Sequence, residues 1–454
     1  MRTFFTLILL LIFTLGMGQD KDGSVATVPP MGWNSYDCYG ATVTGGEVKA
    51  NARYVAKHLK SCGWDYIVVD FCWFYPNAPD SKVSPPQQTR LADGSYTPKL
   101  AMDRYGRLLP VIRKFPAAAG GKGFGPLAEE VHSLGLQFGI HIMRGIPRQA
   151  VRARTPVLGM PGVDASMICD TASTCSWLNA MYGLDMKKPG AQAYLNSLLR
   201  LYASWGVDFI KVDDISRPYH AAEIEGYRKA IAQCGRPIVL SLSPGATPLS
   251  EANHVMREAN MWRLADDFWD SWKALKPMFH LAAEWAPYAG PGHWPNLDMI
   301  PVGKISKRGP VGPERYSRFS PAEKRTMMTL WCIARSPLIL GGNLPENTPA
   351  DLAWETNKEV LAVDQKGRNA RELYRKGDIV VWVSKMPDPG VWNIAIFNLG
   401  DGPEKGVVPF SLLGIPGAVS VRDLWKHQQL GKFSRVFTQR IQPHDAALFR
   451  IKVL

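Results

Sequence analysis

Long apolar runs are almost absent from this 454-residue chain. The one exception, Phe4–Leu15, spans 12 residues, well short of the ~20 that cross a bilayer. Cysteine is scarce: seven residues, at 38, 62, 72, 169, 175, 234 and 332, odd in number and without CxxC or zinc-type Cys/His spacing. Neither a disulfide framework nor a metal site can therefore organise a chain this long. Charged residues make up only 20%, and although the formal net charge is +13, the basic residues are dispersed rather than striped along a helix, which argues against nucleic-acid binding. There is no G-x-S-x-G elbow, no P-loop and no G-x-G-x-x-G at a strand-to-helix turn, so the common signatures of serine hydrolases, nucleotide binding and dinucleotide cofactors are missing. Fixed-period repeats and low-complexity tracts are missing as well.

What is present is a core-forming composition: 46% hydrophobic and 10% aromatic residues, with 41 Gly and 35 Pro. This length suggests two domains. At the start, Arg2 precedes the short apolar run and Gly16-Met17-Gly18 follows it, the pattern of a secretory signal peptide over residues 1–18. Export to the periplasm or exterior is expected, with no membrane span in the mature chain. Cys169 and Cys175 are close enough in sequence to staple one loop, and Cys38 and Cys72 each follow an expected strand. For Cys62, Cys234 and Cys332 buried free thiols are at least as good a reading as disulfides.

Short apolar runs then alternate with segments of helical period. Tyr66–Asp70, Gln137–Ile142, Phe209–Asp213 and Ile238–Leu242 read as buried parallel strands. Between them Gly46–Cys62, Pro126–Leu134, Pro189–Trp205 and Ala221–Cys234 carry apolar residues three and four apart. The repeated strand-helix order predicts an α/β fold, a (β/α)8 TIM barrel over residues 19–365. Two long insertions, Tyr75–Phe115 and Arg144–Met186, are expected to be functional loops. From about residue 369 to 454 the texture changes to short alternating runs, Asp378–Val383, Trp392–Phe397, Ala418–Leu424 and Ala446–Ile451, which fit a small C-terminal antiparallel β-sandwich.

In such a barrel the C-terminal strand ends line the active-site mouth, and here they carry acids. Asp70 and Asp213 close two strands, Asp266 and Asp267 follow Met261–Ala265, and Asp298 follows Gly290–Leu297. A single strand-end Asp is more often a helix cap; acids at four strand ends ask for another explanation. They come with Trp33, Tyr36, Trp73, Trp262, Trp269 and Trp294, faces suited to stacking on sugars or to filling a core. Converging carboxylates with aromatics, and no metal-ligand spacing, point to glycoside hydrolysis, in which one carboxyl attacks or activates water and the other protonates the leaving oxygen.

The blocks Pro29–Tyr36, Tyr66–Trp73, Trp205–Asp213, Trp262–Trp272 and Gly290–Met299 resemble, in order, those of the melibiase family, glycoside hydrolase family 27, the retaining α-galactosidases and α-N-acetylgalactosaminidases. The tail from about Asn369 resembles that family's β-sandwich. The resemblance implies Asp213 as nucleophile and Asp267, not its neighbour Asp266, as general acid/base. It implies sugar contacts from Asp70, Lys211, Arg263 and Asp298. Asp214 and Asp266 are left as solvated or capping acids. No cofactor or metal is implied, and the expected partners are galactose-containing glycans.

Departures from the family pattern bear on the sugar. Phe71 stands where galactosidases usually have a second Asp, His141 where Tyr is common, Tyr36 where Trp is common, and Ser243 where galactosidases tend to carry Glu and N-acetylgalactosaminidases a Ser. With Trp73, these are the remaining expected substrate-contacting positions. The leading expectation is an exported retaining exo-α-galactosidase, ahead of α-N-acetylgalactosaminidase, then β-L-arabinopyranosidase, whose sugar lacks the 6-hydroxymethyl that the missing Asp would serve. A sugar-binding protein on a retired scaffold is disfavoured by retention of both catalytic Asp residues.

Overall fold

The computed structural model describes residues 25–76, 88–90 and 96–454; the expected signal segment lies outside them. Eight parallel strands form the central sheet: β1 (Met31–Asn34), β2 (Tyr66–Val69), β3 (Gln137–Met143), β4 (Phe209–Asp213), β5 (Val239–Leu242), β6 (Met261–Arg263), β7 (Trp294–Asn296) and β8 (Leu338–Leu340). Their spatial order follows the chain from β1 to β7, with β8 on the other side of β1. A parallel bridge between Ile300, just past β7, and Leu340 closes the ring. The four strands and four helices anticipated above are present to within a few residues. The first helix, however, runs regularly only over Gly45–Tyr54 and continues to Cys62 in altered winding.

Residues two apart on a strand share a face, and this period sorts the barrel chemically. The outward positions Ile67, Val69, Ile140, Ile142, Ile210, Val212, Leu240 and Leu242 enter the main apolar cluster with the surrounding helices. Inward positions at the strand starts, Tyr66, Val68, Phe209, Val239, Met261 and Trp294, form a separate apolar plug. Gly32 on β1 is required there, because a Cβ would lie 2.3 Å from the Tyr66 carbonyl oxygen. Two or four residues further along the same inward faces come Asp70, His141, Lys211, Asp213, Ser241 and Arg263. The barrel is therefore apolar at one end and charged at the other.

The insertion from Arg144 to Met186 has structure of its own. Ile146–Pro147 and Cys169–Thr174 flank Met181–Leu184 in a three-stranded sheet. In the other insertion Gln88–Arg90 pairs antiparallel with Tyr96–Pro98. No disulfide joins any of the seven cysteines, which corrects the expected Cys169–Cys175 staple. The two lie at opposite ends of one strand, where the Cys169 thiol donates to the Ser166 carbonyl and Cys175 is buried in the core. Among the described residues no helix is long and apolar enough to cross a membrane.

After Gly367 the chain forms β9 (Arg368–Lys376), β10 (Ile379–Lys385), β11 (Val391–Asn398), β12 (Glu404–Pro409), β13 (Ala418–Asp423), β14 (Gln428–Ser434), β15 (Val436–Ile441) and β16 (Ala446–Val453). Six of them build one sheet in the order β9-β10-β11-β16-β13-β14, and β12 pairs with β15 over it. Alternation again divides the faces. Ile379, Val381, Ile394, Ile396, Phe449 and Ile451 fill the sandwich core with Val408 and Phe437, whereas Val380, Trp382, Ala395, Phe397 and Leu448 join the barrel's own cluster. Phe397 meets Phe279 edge-on at 4.9 Å, Trp272 stacks on His444 at 4.0 Å, and Arg325 pairs with both carboxylate oxygens of Asp445.

This shared apolar layer should make the two units unfold together. Phe397→Ala removes a fully buried ring and should cost about 3–5 kcal/mol. Urea denaturation followed by tryptophan fluorescence should show one transition, shifted to lower urea. Two separate transitions in the unmutated protein would contradict the coupling.

Candidate active site

A cavity of about 680 Å³ opens at the charged end of the barrel, lined by residues that include Tyr36, Asp70, Phe71, Lys211, Asp213 and Asp267. Five acids, Asp70, Asp213, Asp214, Asp266 and Asp267, face it against Lys211 and Arg217. The site is thus acidic within a basic chain, as suits a reaction whose transition state is cationic.

Asp70, just past β2, is the most constrained of these acids. Asn34 Nδ2 and Lys211 Nζ donate to its Oδ2 at 2.6 and 3.0 Å, and the Phe71 N–H donates to Oδ1 at 2.8 Å. Burial alone would raise its pKa, but the Lys211 and His141 charges and these hydrogen bonds hold it well below the usual carboxylate range. Burial likewise opposes the charge on Lys211, and Asp70 and Asp213 outweigh it, so the ammonium titrates above its ordinary value.

Asp213 ends β4. Its Oδ2 lies 2.7 Å from His141 Nε2 and its Oδ1 accepts from the Asp214 N–H at 3.1 Å. A carboxylate can only accept, so Nε2 carries the proton. His141 Nδ1 is buried with no hydrogen-bond partner among the described residues. Directly after Asp213 the backbone enters the left-handed region at Asp214, φ +59, a conformation costly for a residue other than glycine. Arg144 holds it there: Nε donates to the Asp214 carbonyl at 2.6 Å, Nη2 to its carboxylate at 2.9 Å, and Nη1 to Glu223 and Ser173. Asp214 is therefore a buried, ion-paired residue and not the solvated acid anticipated. Asp266 is exposed, as expected, but takes both its bonds from Arg217, at 2.8 and 3.0 Å.

Asp267 follows β6 and is 42% exposed at its side chain. Arg263, fully buried, donates to Asp267 Oδ1 from both terminal nitrogens at 3.3 Å and pairs with Asp298 Oδ1 at 2.7 Å. The Phe268 N–H closes the set by donating to Asp298 Oδ2 at 2.7 Å. Burial, with the nearby Asp267 charge, raises the Asp298 carboxyl to about 6 although Arg263 pulls the other way.

Of the anticipated residues, then, Tyr36, Asp70, Phe71, Lys211, Asp213 and Asp267 face the cavity, His141 and Arg263 stand one bond behind its acids, and Asp298 stands behind Arg263. One expectation is corrected. Trp73 is fully buried, donates to the His141 carbonyl at 2.5 Å and packs among Phe74, Phe124, Tyr202 and Trp205, so it supports the site from outside the barrel. Ser243, two residues beyond Ser241 on the same inward face, is buried with its hydroxyl unpartnered among the described residues, and Pro244 and Gly245 beside it line the cavity. Trp33, Trp262 and Trp294 are core residues too. Sequence reasoning missed Arg144, Trp177 and Asp37, the last a buried carboxyl that burial, Asp298 and Asp267 push well above its usual range. Among the described residues no group of three or more His, Cys, Asp or Glu could hold a metal ion.

The alpha galactosidase A family model matches residues 181–366, and the alpha galactosidase C-terminal beta sandwich domain matches 376–451. A solved family 27 β-L-arabinopyranosidase from Geobacillus stearothermophilus is 49% identical, with a TM-score of 0.89 over 94% of this chain and 97% of that one. The chain belongs to glycoside hydrolase family 27. A Bacillus halodurans structure with a provisional α-N-acetylgalactosaminidase name is 44% identical, with a TM-score of 0.83 over 94% and 98% of the two chains. Alpha-galactosidase 2 of Arabidopsis thaliana is 25% identical over 441 residues, 95% of this chain and 91% of that protein.

In this family 27 hydrolase the Arg263–Asp298 pair yields a pH prediction. Ionised Asp298 orients Arg263, so kcat/KM should fall as pH drops through about 6. Stability carries the opposite sign. A carboxyl raised in the folded state contributes stability fully present below its unfolded pKa of about 3.9 and lost as pH rises through the folded value. Asp298→Asn leaves the buried guanidinium with Asp267 alone, and since breaking such a pair costs several kcal/mol, kcat/KM should drop roughly 100-fold. Its pH-rate profile should lack the limb near 6, and its melting temperature should lose this component of the decline between pH 4 and 7. A wild-type kcat/KM that is flat from pH 4 to 7 would refute the assignment.

Proposed function

We propose that the protein is an exported, retaining exo-glycosidase that removes terminal β-L-arabinopyranosyl residues and takes α-D-galactosides as slower substrates. The catalytic unit covers residues 19–365 and the β-sandwich 369–454, after removal of residues 1–18. The two sugars share one ring configuration and differ by the galactose hydroxymethyl group. The observation that carries the reading is the wall beside Asp70. Phe71 meets Tyr36 edge-on at 5.9 Å, His141 at 5.6 Å and Trp177 at 5.8 Å, so an aromatic surface stands where a second carboxylate would accept from a 6-hydroxyl. A ring ending in CH2 suits that wall, whereas a hydroxymethyl would be left unpaired. The 49% identity to an arabinopyranosidase supports the same choice. α-N-acetylgalactosaminidase is less favoured here, because the structure bearing that name is less similar, at 44% identity.

In this mechanism the Asp213 carboxylate attacks the anomeric carbon while Asp267 protonates the departing oxygen. Asp267, now ionised, then takes a proton from water, whose oxygen displaces Asp213 and releases the sugar. His141 Nε2–H and the Asp214 N–H hold the two oxygens of Asp213 in orientation. Asp70 and Lys211 grip ring hydroxyls as a fixed acceptor and donor pair.

A panel of 4-nitrophenyl β-L-arabinopyranoside, α-galactoside and α-N-acetylgalactosaminide should give rates in that descending order, and preference for the galactoside would overturn the sugar assignment. Phe71→Asp should shift preference toward the galactoside by roughly 10-fold, the value of one charge-assisted hydrogen bond.

The mechanism is tested separately by proton NMR of the first-formed sugar, which should retain the substrate's anomeric configuration. Asp213→Ala should abolish turnover, while Asp267→Ala should spare substrates with good leaving groups and be rescued by azide. Inversion, or azide rescue of Asp266→Ala instead, would reassign the roles.

A further inference from the structure

The cavity extends beyond the residues that this mechanism uses. Its volume of about 680 Å³ lies in the range of sites that hold drug-sized ligands, about 300–1,000 Å³, more than one pyranose ring fills. Exposure rises along its walls. Asp70 and Asp213 are 1% and 10% exposed at their side chains, Asp267 is 42%, Arg217 58% and Asp266 64%. Asp266 is the chain neighbour of Asp267, and the exposed Arg217–Asp266 pair lines the same cavity as that proposed proton donor.

Trp177 completes this outer part. It belongs to the cavity lining with Thr174, Ser176 and Leu178, and it is the only tryptophan among the exposed large hydrophobic residues described, at 45%. It is not a loosely held side chain. Its ring rests against Phe71 at 5.8 Å, and its segment joins the two insertion strands that Arg144 ties to the barrel through Ser173 at 2.9 Å. The same lining includes Arg217, Pro218, Pro244, Gly245 and Asp266. Gly245 gives the ion pair room, since a Cβ there would sit 3.2 Å from Asp266 Oδ1 and 3.3 Å from Arg217 Cζ.

We propose that the outer cavity is a binding subsite for the departing sugar, with Trp177 as the stacking platform and the Arg217–Asp266 pair as its hydroxyl-binding rim. The C–H face of a pyranose packs on an indole, and the rim offers both donors and acceptors. The two rim charges cancel, so the site takes a neutral sugar rather than a uronic acid, and the substrate class is neutral oligo- or polysaccharides ending in the recognised sugar. This rests on the glycosidase reading above but not on which terminal sugar is right.

The test compares substrates that share a terminal sugar and differ in leaving group: β-L-arabinopyranosyl-(1→3)-L-arabinose against β-L-arabinopyranosyl fluoride, and melibiose against α-galactosyl fluoride. Failure of the wild type on one fluoride corrects the terminal sugar only, and the subsite is then read from the other pair; failure on both would remove the glycosidase reading itself. Trp177→Ala should lower the disaccharide-to-fluoride ratio of kcat/KM at least 10-fold, Trp177→Phe should restore most of it, and Arg217→Ala should lower it by a smaller factor. An unchanged ratio, or equal losses on disaccharide and fluoride, would overturn the subsite and leave Trp177 as a support for Phe71.

Discussion

The ammonium of Lys211, buried inside the barrel, must find a carboxylate, and the site is arranged around the one that it finds. Asp70 on the second strand meets Lys211 on the fourth, and Asn34 on the first donates to the same oxygen. One set of bonds thereby fixes three strand ends relative to one another. Burying two charges is costly unless each is paired and hydrogen-bonded, so Asp70 takes bonds at both oxygens and stays ionised. The charge of Asp213, two residues further along its strand, also favours this ammonium.

A second buried cation repeats the solution on the far side. Arg263 bridges Asp298 and Asp267, so the exposed carboxyl of Asp267 is tied to a fully buried one. Arg144 does the same outside the ring, holding the left-handed turn at Asp214. Three cations, Lys211 on β4, Arg263 on β6 and Arg144 just past β3, therefore pair with three of the five acids in the cavity, Asp70, Asp267 and Asp214. This order is a poor route to stability, since apolar residues would fill the same space at lower cost. Its return is orientation, and an enzyme needs its carboxyls prepositioned more than it needs the last few kcal/mol of stability.

The sequence is legible where a period carries the information. Apolar runs in β2 to β5, and apolar spacing in the helices between them, revealed the barrel and put Asp70 and Asp213 at strand ends, whereas Lys211 and Arg263 were picked out by the family resemblance. The C-terminal strands left unrecognised, β9, β12, β14 and β15, are half-exposed and polar, as in Arg368–Lys376 and Gln428–Ser434, so neither period stands out, and β1 and β8 are buried runs of only four and three residues. Tryptophan direction was illegible for a related reason. Barrel strands are buried on both faces, and Trp33, Trp262 and Trp294 read identically whether they face helices, the apolar plug or a ligand. Arg144 and Trp177 sit in an insertion whose partners are remote in sequence, and only the folded chain brings them to Asp214 and Phe71.

The two departures nearest the sugar differ in exposure once placed. Phe71 remains at the cavity wall, where its ring meets Tyr36 and Trp177. Ser243 lies two residues beyond Ser241 on the inward face, buried and with its hydroxyl unpartnered among the described residues, while Pro244 and Gly245 beside it reach the cavity. A specificity change on a shared scaffold acts through the atoms that reach the ligand, and on that ground the aromatic ring at the wall has the more direct route to the sugar.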